Sequence, residues 1–261
     1  MSKWRPTKDG CIYVIPDIHG SIDLLDVILA RITPLRKKKD MIVFLGDYID
    51  RGYLGHEVLD RLIELKAKYG DKVICLKGNH EDMMLQGLGF EHSKHQKHMF
   101  DMWIKNGGEE TVLGYMSRQG EDLSWGAVPR SKIVKIVPKE HVDFMKSLRT
   151  HYETEDFIFV HGGCDPEKPL KEQKPSTFVW DRSLIAFAER FKSKGWNFDF
   201  WEKIVIAGHN GHKAKEPFVY GKFMMLDTKG IDKIYVVEVN SMECFVAKKN
   251  NGKLVKHNLN I

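Results

Sequence analysis

The stretch Gly46-Asp47-Tyr48-Ile49-Asp50-Arg51-Gly52 follows directly on the apolar run Met41-Ile42-Val43-Phe44-Leu45. An apolar run that ends abruptly in glycine and a carboxylate predicts a buried strand delivering Asp47 to its carboxyl edge, where open α/β sheets place their chemistry. Two acids, an arginine and two glycines in so short a span are costly beside a core unless charged partners or ligands compensate them. The combination points to a metal site.

Outward from this stretch the same pattern recurs. Cys11-Ile12-Tyr13-Val14-Ile15 predicts a strand closed by Pro16-Asp17-Ile18-His19-Gly20. Ser21 then caps an amphipathic helix running to about Ile32, with Leu24, Leu25, Ile28 and Leu29 on its apolar face. Helical spacing of Val58, Leu59, Leu62, Ile63 and Leu65 predicts a helix from His56 to Tyr69, ended by Gly70. Val73-Ile74-Cys75-Leu76 predicts a third strand, stopping at Gly78-Asn79-His80-Glu81. Three successive units of strand, loop and helix predict sheet strands joined by helical crossovers, with the polar residues gathered on one edge.

Beyond Asp82 the pattern turns helical, and with no flexible linker the stretch of about 82–130 reads as a helical insert within a single domain, 1–261. Strands resume at Ile133-Val134-Lys135-Ile136-Val137. They continue at Phe157-Ile158-Phe159-Val160 before His161-Gly162-Gly163, and at Ile204-Val205-Ile206-Ala207 before Gly208-His209. Phe223–Asp227, Ile234–Val239 and Met242–Val246 complete the set, and their short turns predict antiparallel pairing. The expected fold class is α/β, with two face-to-face mixed β-sheets flanked by helices.

Composition bounds the function. A chain of 261 residues, 42% apolar, has enough apolar side chain for a substantial core. Its +5 charge, from 41 basic and 36 acidic residues, favours anionic partners without forming a nucleic-acid footprint. The run Arg36-Lys37-Lys38-Lys39 reads as a solvated turn before a strand. Cys11, Cys75, Cys164 and Cys244 show no paired short spacing, which argues for reduced core thiols over a zinc knuckle. The N-terminus lacks an apolar signal core and no apolar run is long enough to span a bilayer, so the expectation is a cytoplasmic protein with no membrane partner.

Five strand ends offer polar residues: Asp17 and His19; Asp47, Asp50 and Arg51; Asn79 and His80; His161; and His209. Singly, a loop histidine is usually a surface residue and Asp beside Gly a turn. Together they form a donor set suited to manganese, iron or zinc, and the absence of cysteine among them argues against a purely structural zinc.

The set Asp17-Ile18-His19-Gly20, Gly46 to Gly52, Gly78-Asn79-His80-Glu81, His161-Gly162-Gly163 and Gly208-His209-Asn210 resembles the phosphoprotein-phosphatase branch of the calcineurin-like metallophosphoesterases. It is similar to the compact bacterial and phage serine/threonine phosphatases and to their relatives, the symmetrical diadenosine tetraphosphatases. Trp103 to Tyr115, with Asn106-Gly107-Gly108 and Thr111, also resembles the insert of the bacterial group.

The resemblance implies one metal on Asp17, His19 and Asp47 and a second on Asp47, Asn79, His161 and His209, with Asp47 bridging. Both would be divalent, manganese first and iron or zinc as alternatives, sharing a hydroxide that attacks phosphorus. It further implies Arg51 as a phosphate clamp, Arg182 in Trp180-Asp181-Arg182 as a second clamp, His80 as general acid and Asp50 as the carboxylate orienting it. A helix-start surface residue is the competing reading of Arg182, and Glu81 is expected to support its loop. The substrate implied is a phosphoserine or phosphothreonine monoester in a protein; a dinucleoside tetraphosphate or an RNA-end phosphate is the alternative for the same site.

Pro16 and Asn210 depart from the family's usual glycine and threonine without removing a ligand. His92, His95 and His98 recur every third residue, which would align them on one helix as a solvated or substrate-facing rim, with a third metal site the lesser alternative, and His212 ranks below His209 as a ligand because it does not follow a strand directly. Met99 to Ile104 reads as the insert's own core.

Overall fold

The structure, a computed structural model, describes residues 10–35, 37–121, 128–211, 216–228, 231–250 and 252–259. Its first part alternates strand and helix: β1 (Ile12–Ile15), α1 (Ile22–Ile32), β2 (Met41–Phe44), α2 (Gly55–Tyr69) and β3 (Val73–Cys75). Helices α3 (Asn79–Leu88), α4 (Gln96–Trp103), α5 (Glu109–Arg118), α6 (Arg130–Ile136) and α7 (Lys139–Ser147) follow. Then come β4 (His151–Glu153), β5 (Phe157–Val160), α8 (Pro175–Trp180), α9 (Ser183–Lys194) and β6 (Ile204–Ala207). The chain closes with β7 (Phe218–Tyr220), β8 (Phe223–Met225), β9 (Lys233–Glu238), β10 (Glu243–Lys248) and β11 (Leu254–His257).

Two mixed sheets form, in the orders β11-β10-β9-β1-β2-β3 and β4-β5-β6-β8-β7. Strands β1, β2 and β3 are parallel, as are β5, β6 and β8. The period-two alternation of each strand decides how the layers stack. Val14, Val43, Leu45 and Ile74 from one sheet meet Phe157, Phe159, Ile206 and Met224 from the other in one buried cluster. The alternate residues, Ile15, Ile42 and Phe44, pack against α1, α2 and α3. Ile158, Val160, Val205 and Ala207 pack against α8 and α9. A backbone bridge between Leu76 and Arg149, with Lys77 N–H donating to the Arg149 carbonyl (2.7 Å), ties the edge of one sheet to the start of the other. The face-to-face architecture expected from sequence is thus the one observed.

Several local expectations are corrected. Ile133–Val137 is no strand: Arg130–Ile136 is helical, and Ile133, Ile136 and Val137 are buried at the i, i+3, i+4 spacing of a helix face. A five-residue stretch with four apolar residues around Lys135, between Pro129 and Pro138, cannot by itself distinguish the two periods. Antiparallel pairing holds for β9 and β10, but Phe223–Met225 does not pair with β9: it lies in the other sheet, parallel to β6 and antiparallel to β7. Ser21 occupies the N-cap position of α1 without capping it, its hydroxyl donating instead to the Ile231 carbonyl (3.1 Å). His92 and His95 precede α4, so the three histidines do not share one helix face. Cys75, Cys164 and Cys244 are buried free thiols and Cys11 is partly buried. Among the described residues no helix is long and apolar enough to cross a membrane.

The layer between the sheets should dominate stability. Ile206→Ala, at a fully buried position, is expected to cost about 2–5 kcal/mol, read as a lower midpoint in urea unfolding.

Candidate metal centre

The polar residues converge because parallel strands end on the same edge. Asp17 and His19 follow β1, Asp47 to Arg51 follow β2, Asn79 and His80 follow β3, His161 follows β5 and His209 follows β6. Cross-sheet hydrogen bonds join the two sets. The Leu45 carbonyl accepts from His161 Nδ1 (3.0 Å), and Asp17 Oδ1 accepts from the His209 amide (2.9 Å). Five of these residues, His19, Asp47, Asp50, Arg51 and His209, have φ between 47° and 71°. Non-glycine residues hold that conformation at a cost of order 1–3 kcal/mol each, and such strain collects at functional sites.

One pole of the site surrounds His161. Because a carbonyl only accepts, His161 Nδ1 is the donor to Leu45, and its Nε2 faces Asn79 Oδ1 (3.1 Å), His209 Nδ1 (3.1 Å) and Asp47 Oδ1 (3.3 Å). Four electron-pair donors therefore point at one locus. At the other pole His19 Nδ1 donates to the Ile49 carbonyl (2.8 Å), leaving a buried Nε2 with no hydrogen-bond partner, 3.9 Å from Asp17 Oδ2 and 3.7 Å from Asp47 Oδ2. A buried lone pair without a proton donor, flanked by carboxylates, is what a cation ligand looks like before the cation arrives. The residues fit divalent metals. Asp47, His161 and His209 lie close enough together to hold one ion, as do His19, Asp47 and His80, and only Asp47 is common to both groups.

Electrostatics agree. Burial drives the pKa of His19 well below its usual value and that of His209 down to about 2, so both imidazoles are neutral donors. Burial also opposes charge on His161, but the Asp47 carboxylate outweighs it and pushes that imidazole up to about 9. For Asp47 the burial penalty is in turn overcome by His161 and His80, which hold it well below the carboxylate range. Without a cation, a proton on His161 stands where a metal would bind.

The groups expected to face phosphate lie alongside. His80 Nδ1 pairs with Asp50 Oδ2 at 2.6 Å, and its Nε2 is 3.3 Å from an Arg51 guanidinium nitrogen and 3.7 Å from Asp47 Oδ2. Burial works against a charged His80, but Asp47 and Asp50 more than offset it and raise its pKa. Arg182 donates to Asn210 Oδ1 (3.3 Å), and Asn210 Nδ2 donates to the Asp181 carbonyl (3.2 Å). The residue that departs from the family's threonine is therefore the one that holds Arg182. Trp180 Nε1 donates to Asp82 Oδ2 (2.8 Å), fixing the same segment to α3.

Glu81 supports its loop, as expected. Its Oε2 accepts from the amides of Asp47 (3.0 Å) and Gly78 (2.9 Å), and its Oε1 from Tyr48 (2.8 Å) and Ile49 (3.4 Å). At Gly78 a Cβ would collide with Asp47 Oδ1, so the absence of a side chain lets the carboxylate lie against the start of α3, where the His80 amide donates to it (3.1 Å). His212 lies outside the described residues.

A family profile described as calcineurin-like phosphoesterase matches residues 12–240. The chain belongs to that family. Among curated relatives of this phosphoesterase, the serine/threonine-protein phosphatase SIT4 of Candida albicans is 28% identical over 165 residues, 62% of this chain and 42% of the relative. The serine/threonine-protein phosphatase ppe1 of Schizosaccharomyces pombe is 34% identical over 164 residues, 62% and 42% of the two chains. The matched part thus spans less than half of each relative. The fold is shared with a putative diadenosine tetraphosphatase (TM-score 0.56, 14% identity, 98% of this chain and 97% of that one). It is also shared with a Saccharomyces cerevisiae serine/threonine phosphatase similar to human PP5 (TM-score 0.54, 16% identity, 96% and 80%).

Sequence reasoning missed three features of this phosphoesterase. Asp227, just past β8, is buried, and its charge, after burial itself, raises the pKa of Asp17. The apolar run Phe223-Met224-Met225-Leu226 before it carried the same signal as that before Asp47. Trp103 and Thr111 reach Asp50 from α4 and α5, and Asn210 reaches Arg182.

Two outcomes follow from the charges and amides. Because a ligating imidazole must be neutral and His161 is pushed up to about 9, metal uptake at neutral pH releases a proton and tightens as pH rises toward that value. Competition titrations with a metallochromic chelator across this range should show it. Glu81→Gln turns an acceptor into a donor facing buried amides, so it should destabilise by about 1–3 kcal/mol for each amide left unpaired, seen as a lower urea midpoint.

Proposed function

We propose that the chain is a metal-dependent phosphomonoesterase acting on phosphoserine and phosphothreonine in proteins. The observation that carries this reading is the placement of His80 Nε2 between the Arg51 guanidinium and Asp47, with Asp50 behind it. A serine or threonine alkoxide is a poor leaving group unless protonated as it departs, and a buried imidazole with raised pKa beside an anion clamp answers that need. The relatives named serine/threonine-protein phosphatases support the same substrate class.

In this reading Asp17, His19 and Asp47 would hold one divalent cation and Asp47, Asn79, His161 and His209 the other, both manganese. Such a pair would supply Lewis acidity toward water and phosphate oxygen. Arg51 and Arg182 bind the phosphoryl oxygens, planar guanidinium groups each able to grip two of them. As the oxygen of a water molecule adds to phosphorus, giving up a proton to solvent, the ester P–O bond breaks, its electron pair passing to the serine or threonine oxygen. His80 Nε2 gives that oxygen its proton, and Asp50 keeps the imidazole aimed and stabilises its charged form.

With manganese added, the purified protein should release phosphate from phosphoserine peptides; ADP as sole product from diadenosine tetraphosphate, with peptides untouched, would replace this reading by anhydride cleavage. His80→Asn should slow alkyl phosphates by roughly 10²–10⁴ while largely sparing activated aryl phosphates, because only the former need a strong acid. Asp47→Asn should abolish both activities and reduce bound metal measured by elemental analysis.

A further inference from the structure

Asp50 is fully buried and its carboxylate has no free oxygen. Oδ2 faces His80, while Oδ1 accepts from the Thr111 hydroxyl (2.6 Å) and the Trp103 indole N–H (2.9 Å). The Thr111 oxygen also accepts from the Asp50 amide (2.8 Å), so a single hydroxyl grips main chain and side chain at once. Trp103 and Thr111 are themselves buried, at 0% and 1% exposure, so bulk solvent does not reach either bond.

The two donors flank a kink, Ile104–Gly108, where the chain leaves helical geometry at Gly107 between α4 and α5. Its Gly107, at φ 107°, presents a carbonyl to the Arg51 amide (3.1 Å), and a Cβ there would come within 2.7 Å of the Arg51 nitrogen. Asp50 and Arg51 both sit in the left-handed region, φ 71° and 63°, which a non-glycine residue keeps only when its surroundings over-determine it. The contacts from Trp103, Gly107 and Thr111 supply that constraint.

We infer that Trp103 and Thr111 are positioning residues of the proton donor: by occupying Asp50 Oδ1 they lock the carboxylate so that Oδ2 alone meets His80 Nδ1 and Nε2 stays aimed beside Arg51. The inference rests on the reading of His80 as general acid. It assigns the insert a part in catalysis through Asp50, where a core-packing role would affect stability alone. Thr111→Val keeps the volume and removes the hydroxyl, Thr111→Ser keeps the hydroxyl, and Trp103→Phe removes the indole N–H.

The test measures kcat for these three variants and for His80→Asn on a series of phosphate monoesters running from nitrophenyl to alkyl leaving groups. Melting temperature and bound metal are followed alongside. Removing an outer partner of an active group typically costs 10–100-fold, so Thr111→Val should lose roughly that much on alkyl phosphates while losing far less on nitrophenyl phosphate. Bound metal should be unchanged, and Thr111→Ser should return close to the parent protein. Equal losses across the series, or a lowered melting temperature with unchanged kinetics, would overturn the inference. If Thr111→Val does not fold, Trp103→Phe against the parent decides by the same criterion. A flat leaving-group response in His80→Asn would sink the acid reading itself and this inference with it, whereas a steep response there with flat ones in Trp103→Phe and Thr111→Val would sink only the latter.

Discussion

The Asp47 carboxylate is buried with His19, His80 and His161 about it. Its main-chain oxygen accepts from the amides of Ile18 and His19 (3.0 and 2.9 Å), and its own amide donates to Glu81. Burying a carboxylate costs several kcal/mol unless charges and hydrogen bonds compensate it. Here the compensation comes from residues after β1, β3 and β5, so the ends of strands from both sheets must be brought to one point before the charge is tolerable. The rest of the site is arranged around that requirement.

The same constraint accounts for the strained backbone. His19, Asp47, Asp50, Arg51 and His209 all turn at positive φ in the loops that follow β1, β2 and β6. A strand that continued straight would carry these side chains away from the common edge. The turns fold them back over it, and the strain is held by the packed layer between the sheets and by bonds such as the four amides gathered by Glu81. Charge burial, backbone strain and cation affinity are in this sense one arrangement, in which a divalent ion relieves the repulsion among lone pairs that the fold forces together.

Helices α4 and α5 join this arrangement. From sequence, the Met99 to Ile104 stretch reads as a local core, and Trp103 is indeed fully buried. Yet its indole N–H serves Asp50, whose sequence position is fifty-three residues away. Likewise Asn210 reads only as a departure beside a ligand, and the structure places it against Arg182. Neither partnership has a periodic or compositional signal, because each joins side chains that no local element relates. Asp227 is the opposite case: its apolar approach resembled that of Asp47 and was legible in principle.

The strand ends, their ligand-type side chains and the face-to-face sheets were determined by the sequence itself, through abrupt transitions from apolar runs to glycine, aspartate and histidine. Local physics suffices there, since a buried strand followed by charged residues has few places to go. Which period Ile133–Val137 obeys was decided by tertiary packing, because a short apolar run satisfies either one. The return of β9, β10 and β11 to the sheet of β1 was decided in the same way, since pairing partners distant in sequence are selected by the faces left to cover. So too were the partners of Asp50 and Arg182, where the burial of a charge in three dimensions, and no feature of the chain nearby, chose the residues that satisfy it.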